Sequence, residues 1–222
     1  MTIRTEVFDA TEYPSVVANH ISARLPDNGA VVITGGTTAE KVYPFLALHE
    51  HDWSKVEVLF SDERCVPPDD PASNFKMAKD LLFDKRPANV RRMRGEDPPE
   101  VAAEMYEAEI RAAVERGPDL VLVGMGADAH VGAMYPDSDA VAEDTRLCVP
   151  VDRPDGLKGL TLTAPALVVG KQILLLVTGE AKADTVSRVI TGDEGPDTCP
   201  ARIFAAHPDV TFLLDQAAAS KL

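Results

Sequence analysis

The chain has 222 residues and a formal charge of −14, with 22 Lys and Arg against 36 Asp and Glu. That length suits one hydrophobic core, and no low-complexity or Gly/Ser-rich linker divides it, so residues 1–222 read as one domain. The acidity excludes general electrostatic attraction to nucleic acid or anionic membranes, since the only basic run, RRMR at residues 91–94, is too short to offset it.

Cys65, Cys148 and Cys199 are odd in number and scattered, which suggests neither a disulfide framework nor a zinc knuckle. Residues 1–20 lack the apolar core of a signal peptide, and later apolar runs fall far short of the roughly 20 residues of a membrane span. A cytoplasmic location is the expectation.

Residues 11–25 place Val16, Val17, Ile21 and Leu25 at near-helical spacing before the turn Pro26-Asp27-Asn28-Gly29, which predicts an opening helix. Residues 30–34 (AVVIT) form a short buried strand running into Gly35-Gly36-Thr37-Thr38, and a helix follows over 39–48. A second strand spans 56–60 (VEVLF), with Ser61, Asp62, Glu63 and Arg64 just past its end. A proline-rich loop then leads to Ser73-Asn74, a cap for a helix over 75–83. Residues 99–116 are amphipathic with helical period. Residues 119–123 (DLVLV) have the branched, apolar content of a strand buried on both faces, stopped by Gly124 and Gly126, with Asp128 and His130 beyond. Residues 147–151 and 160–163 are possible strands of undetermined pairing, flanking a polar loop with Arg153, Pro154, Gly156 and Lys158. Strand 173–178 (ILLLVT) is followed by a helix over 180–190 carrying Lys182 in its first turn, and a last strand spans 210–214 before the tail at 216–222.

Strands alternating with helices predict an α/β fold: a single-domain, mostly parallel, Rossmann-like sheet with helices on both faces. In such a sheet the loops after Thr34, Phe60, Val123 and Thr178 share one edge, the edge where ligands bind. The segments 35–38, 62–64, 128–130 and Lys182 would then meet in one site.

The chemistry of those residues points to an anionic ligand. Gly35 to Thr38 open a helix whose free N–H groups suit a phosphate, although Thr37-Thr38-Ala39-Glu40 equally fits a capping box. Arg64 can hold a phosphate by a bidentate pair, and a lysine in a helix's first turn is electrostatically misplaced unless it meets an anion. The imidazole of His130 can act as a general acid or base; Asp128, two residues away, need not touch it. Gly124-x-Gly126-x-x-Ala129 matches the dinucleotide fingerprint in letters, but Pro136 cuts short the helix that motif requires, which argues against a nicotinamide enzyme. No G-x-S-x-G elbow marks a serine esterase.

With the segments ITGGTTAEKVYPFL, FSDERCVPPDDPASNF, LVGMGADAHVGAMYPDS, LTLTAPAL and LLVTGEAKADTV in order, the chain from Ala30 to Ala201 resembles the 6-phosphogluconolactonase family, related in fold to the glucosamine-6-phosphate deaminases. The resemblance implies hydrolysis of 6-phospho-D-glucono-1,5-lactone to 6-phosphogluconate. His130 would be the acid/base, with Asp128, Glu63 and Asp62 orienting it or placing water. Gly35, Gly36, Thr37, Thr38, Arg64, Gly124, Gly126 and Lys182 would bind the substrate and its phosphate. It also implies no cofactor or metal, a small phosphosugar lactone as the sole partner, and a monomer or small homo-oligomer. A glucosamine-6-phosphate deaminase using the Asp62 region as base, and a non-catalytic sugar-phosphate-binding domain, are the alternatives. The chain departs from the family with Ala39 for Pro, Ala129 for Gly, and Gly159 near an expected Arg, whose place Arg153 or Lys158 would take. If residue 129 requires positive φ, Ala129 strains its loop.

Overall fold

The computed structural model describes residues 3–222. In chain order its elements are β1 (Arg4–Phe8), α1 (Tyr13–Ser22), β2 (Gly29–Ile33), α2 (Gly36–Leu46), β3 (Val56–Phe60), β4 (Asp62–Arg64), α3 (Asn74–Ala78, continued by a π turn at Lys79–Phe83), β5 (Asn89–Val90) and α4 (Pro99–Arg116). There follow β6 (Leu120–Gly124), α5 (Asp139–Ala142), β7 (Cys148–Asp152), β8 (Lys158–Leu162), α6 (Ala164–Leu167), β9 (Ile173–Val177), α7 (Ala183–Thr191) and β10 (Val210–Asp215).

Seven strands form a wholly parallel sheet in the order β1-β10-β9-β6-β2-β3-β5. Its central strands are apolar on both faces because both are covered, and alternate residues feed two cores. Val32, Val121, Val123 and Leu175 pack with Tyr106 and Ile110 of α4, while Val31, Ile33, Leu122 and Leu174 pack with Val17 and Ile21 of α1 and Val42 and Tyr43 of α2. The expected α/β sheet is therefore present. Among the described residues no helix is long and apolar enough to cross a membrane.

Three features differ from the expectations. Strand β1 pairs with β10 at the sheet edge, and its mostly exposed sequence RTEVF carries no apolar run to announce it. Helix α2 begins at Gly36 rather than 39, with Gly35 as N-cap and no side-chain cap, so the Thr37–Glu40 capping box does not form.

The third difference concerns Asp62, Glu63 and Arg64. They are not a loop but the strand β4 of a second, antiparallel sheet, β4-β8-β7, and this settles the pairing of the two uncertain strands as a hairpin. Ser61 is the transfer point: its N–H donates to the Ile33 carbonyl of the parallel sheet at 2.8 Å, and its carbonyl accepts from Leu162 N–H in the antiparallel one at 2.8 Å.

Glu63 anchors this crossing. Its carboxylate is buried and accepts four hydrogen bonds, Oε1 from the N–H groups of Arg64 (2.8 Å) and Asn74 (2.7 Å), and Oε2 from Ser73 Oγ (3.0 Å) and Phe75 N–H (2.8 Å). Helix starts leave such N–H groups free, and here a carboxylate from the neighbouring strand satisfies them while Ser73 caps Lys76 N–H at 3.1 Å. Burial pushes the Glu63 carboxyl above its ordinary range and the four donors oppose that shift.

Glu63→Gln puts an NH2 group against those donors, so it is expected to destabilise the protein by about 2–3 kcal/mol, the cost of breaking buried bonds to a charged acceptor. Urea unfolding checks this, and an unchanged midpoint would remove the anchoring role from Glu63.

Candidate active site

At the carboxyl edge of the parallel sheet, where β2, β3, β6 and β9 end, lies a cleft of about 240 Å³. A larger hollow of about 580 Å³ lies at the opposite edge among Lys55, Arg91, Arg116 and Lys171. Three of those four cations are already paired there, Arg91 and Arg116 with Glu57 and Lys171 with Asp119. The smaller cleft is the candidate site because cations, a carboxylate and a histidine face one another in it.

One wall is the start of α2. Thr34 ends β2, and Gly35 and Gly36 open the helix against the cleft. Gly35 is required by space, since a Cβ there would stand 1.9 Å from Asn74 Oδ1. Asn74 in turn fixes Asp62: its Nδ2 donates to the Asp62 carbonyl at 2.9 Å and to Oδ2 at 3.2 Å, and Ser61 Oγ donates to Oδ1 at 2.9 Å. Asp62 is the single carboxylate lining the cleft among the described residues.

Three cations oppose it: Arg64 from β4, Arg153 from the turn after β7, and Lys182 from the 3-10 turn Glu180–Lys182 that precedes α7. Arg64 Nη1 donates to the Ala72 carbonyl at 2.5 Å, while its Nε is buried with no protein partner among the described residues. Burial pushes the Lys182 ammonium below its ordinary range, and only the Asp215 carboxylate opposes the shift. A partly desolvated lysine in a cleft that also holds two arginines is costly to maintain without an anion, since removing water disfavours the charged form.

His130 closes the site. Its Nδ1 lies 2.6 Å from Asp128 Oδ1, which also accepts the His130 backbone N–H at 3.2 Å. A carboxylate can only accept, so Nδ1 is the donor of this pair, and in the neutral imidazole Nε2 is then the nitrogen with the free lone pair. The ring rests on Tyr135 at 4.8 Å between centroids. Gly126 must be glycine here, because a Cβ would stand 2.2 Å from the imidazole. Between the two partners, Ala129 has φ +74°. Its methyl is buried, its N–H donates to the Gly126 carbonyl at 3.2 Å, and its carbonyl accepts from Ala201 N–H at 2.9 Å. Alanine at this position therefore adopts the left-handed conformation, and the Asp128–His130 contact forms across it.

Of the residues expected in the site, Gly35, Gly36, Thr38, Asp62, Arg64, Gly124, Gly126, His130, Arg153 and Lys182 line the cleft, and Asp128 backs His130 from outside. Three stand elsewhere. Both Glu63 oxygens are spent on strand β4 and helix α3. Thr37 is exposed beyond the cleft, because α2 already starts at Gly36 and turns it outwards. Lys158 lies exposed on the hairpin and pairs with Asp152 at 2.7 Å, so of the two basic residues near Gly159 it is Arg153 that reaches the site. Thr34, Met125 and Gly132 also line it and were not anticipated, as strand-end and loop residues without chemical signature. Among the described residues no three His, Cys, Asp or Glu side chains gather to hold a metal ion.

The strain at Ala129 is nearly balanced. Ala129→Gly relieves about 1–2 kcal/mol of left-handed strain but loses about 0.8 kcal/mol of methyl burial and about 0.4–1 kcal/mol through the freer unfolded chain. Its unfolding free energy is expected to stay within about 1 kcal/mol of wild type. Ala129→Val, branched at Cβ, is expected to lose about 2 kcal/mol or more. Equal stabilities of the two variants would contradict the strained geometry.

Residues 10–212 match the family model described as glucosamine-6-phosphate isomerases/6-phosphogluconolactonase. A 6-phosphogluconolactonase of Mycobacterium tuberculosis is 35% identical over 210 residues, 86% of this chain and 84% of its own. One of Synechocystis is 32% identical over 204 residues, 87% and 85% of the two chains. The crystal structure of 6-phosphogluconolactonase from Thermotoga maritima superposes with a TM-score of 0.87 at 26% identity, covering 97% of this chain and 100% of that one. A monomeric glucosamine-6-phosphate deaminase, at 21% identity and a TM-score of 0.88 over 99% of this chain and 100% of that one, shares the fold. A parallel sheet whose carboxyl edge gathers this histidine, carboxylate and cations, with a family match over nearly its whole length, makes the chain a member of the glucosamine-6-phosphate isomerase/6-phosphogluconolactonase family.

Proposed function

We propose that the protein hydrolyses 6-phospho-D-glucono-1,5-lactone to 6-phosphogluconate, with His130 as the acid/base. The observation that carries this assignment is the Asp128-oriented imidazole on the wall of a cleft that also holds Arg64, Arg153 and Lys182. The phosphate is received by those cations and by the free N–H groups at the start of α2. His130 Nε2 takes a proton from the water that attacks the lactone carbonyl, and the oxyanion develops within the field of the cations. As the bond from C1 to the ring oxygen breaks, the imidazolium returns its proton to that oxygen, giving the open-chain acid, which ionises at neutral pH. Asp128 keeps Nδ1 protonated and offsets the charge of the imidazolium. Asp62, with its carboxylate held by Ser61 and Asn74, accepts hydrogen bonds from sugar hydroxyls.

Deamination of an amino-sugar phosphate would instead use Asp62 as a base on carbon. The curated lactonases similar to this chain favour the hydrolase, and product analysis with the two substrates separates the two activities. Three free cysteines accord with a reducing cytoplasm as the place of action.

His130→Ala is expected to lower kcat for the lactone by about 10²–10⁴, the usual worth of a general acid/base, after correction for spontaneous ring opening. A rate equal to wild type would sink the assignment. Lys182→Ala should weaken binding of 6-phosphogluconate by roughly tenfold or more while leaving gluconate nearly unaffected; equal losses for both would refute a phosphate role.

The depressed Lys182 ammonium also has a pH signature. Its charged form is lost below the 10.5 of an ordinary lysine, so affinity for 6-phosphogluconate falls as pH rises through that lowered value. Lys182→Arg should move the fall to higher pH, as calorimetric titration across the alkaline range will show.

A further inference from the structure

Arg153 reaches the cleft from a hairpin turn, an unusual origin for a well-held side chain. Two features hold it. Its stem lies across Gly159 of β8, where a Cβ would stand 3.0 Å from Arg153 Cδ, 3.3 Å from Cγ and 3.1 Å from the Glu63 carbonyl. Gly159 has no left-handed φ, so its glycine answers to space and not to backbone conformation. The guanidinium is then fastened from the side: Asp155 Oδ2 accepts from Nε at 3.1 Å and from Nη2 at 2.9 Å. The Asp155 carboxylate is itself fixed by Leu157 N–H at 3.1 Å, inside a turn closed by Arg153 N–H to the Leu157 carbonyl and Gly156 N–H to the Arg153 carbonyl, both 3.0 Å. Only 10% of the Arg153 side chain is exposed.

This arrangement spends the Nε edge of the guanidinium on Asp155 and leaves the Nη1 end for a ligand. We propose that Gly159 and Asp155 are positioning residues that seat Arg153 in the cleft, and that this seat makes the site selective for a phosphorylated over an unphosphorylated sugar acid. The proposal rests on the phosphosugar assignment above. Arginine loses rotamer freedom when it binds, and a side chain ordered beforehand loses less. A side chain at 159 evicts the stem; loss of the carboxylate at 155 frees the head.

The test is a mutant cycle read by KM and kcat for the lactone and by calorimetric Kd for 6-phosphogluconate and gluconate. Arg153→Ala is expected to raise Kd for 6-phosphogluconate by roughly ten- to a hundredfold, the range for hydrogen bonds to a charged group, with the Kd for gluconate changed by less than about threefold. Gly159→Val should reproduce that pattern, and Arg153→Ala/Gly159→Val should be no more than about twofold worse than Arg153→Ala alone. Asp155→Ala, an exposed change that leaves the core untouched, should raise KM by a larger factor than it lowers kcat, and Asp155→Asn should fall between it and wild type. Multiplicative effects of Arg153→Ala and Gly159→Val, or an unchanged or lower KM in Asp155→Ala, would overturn the seat alone. A wild-type protein that does not prefer 6-phosphogluconate to gluconate would overturn the phosphosugar assignment beneath it.

Discussion

The central strands of a parallel sheet covered on both faces can place polar groups only at their ends, because the side chains along their length are committed to one of two cores. In this chain Val31, Val32 and Ile33 of β2, or Leu122 and Val123 of β6, have no freedom to carry chemistry. All seven strands run the same way, so their carboxyl ends lie on one edge and the first residues released from the core meet there. The cleft follows from this constraint, and so does its inventory: a helix start after β2, a histidine loop after β6 and a lysine turn after β9.

The smaller antiparallel sheet completes what the parallel one cannot. The chain passes from β3 to β4 through Ser61 without a loop, and this turns Asp62 and Arg64 over the cleft while Glu63 points back into the protein. Alternation along three residues thus separates two site residues from a buried anchor. The Glu63 carboxylate holds that register by occupying the start of α3, and Asn74 at the same helix start holds Asp62. Structure and site are here one hydrogen-bonded unit.

Function carries a cost in stability. Lys182 is partly stripped of water, the buried Arg64 Nε lacks a protein acceptor among the described residues, and Ala129 sits in a conformation that side chains disfavour. Each is unfavourable for the free protein and each lies at the cleft or directly behind His130. In an acidic chain, cations brought together with a single carboxylate for company are a local reversal of the global charge, which suits an anionic ligand that the protein as a whole would repel.

Much of this was legible in the sequence. Apolar runs stopped by glycine located β2, β6 and β9, and short-range alternation of strand and helix implied the parallel sheet, hence the shared edge and the company of Gly35, Asp62, Asp128, His130 and Lys182. These are local properties, set by which residues can be buried and which backbones can turn. What tertiary structure alone decided is contact between segments distant in sequence. Strand β1 exists because β10 offers it an open edge, Glu63 is an anchor because α3 presents unpaired N–H groups to it, and Arg153 rather than Lys158 reaches the cleft because Gly159 leaves its stem a path. A strand's two faces, a free donor and an empty space beside a glycine become defined only when the partner segment arrives, which is why the residues were readable and their division of labour was not.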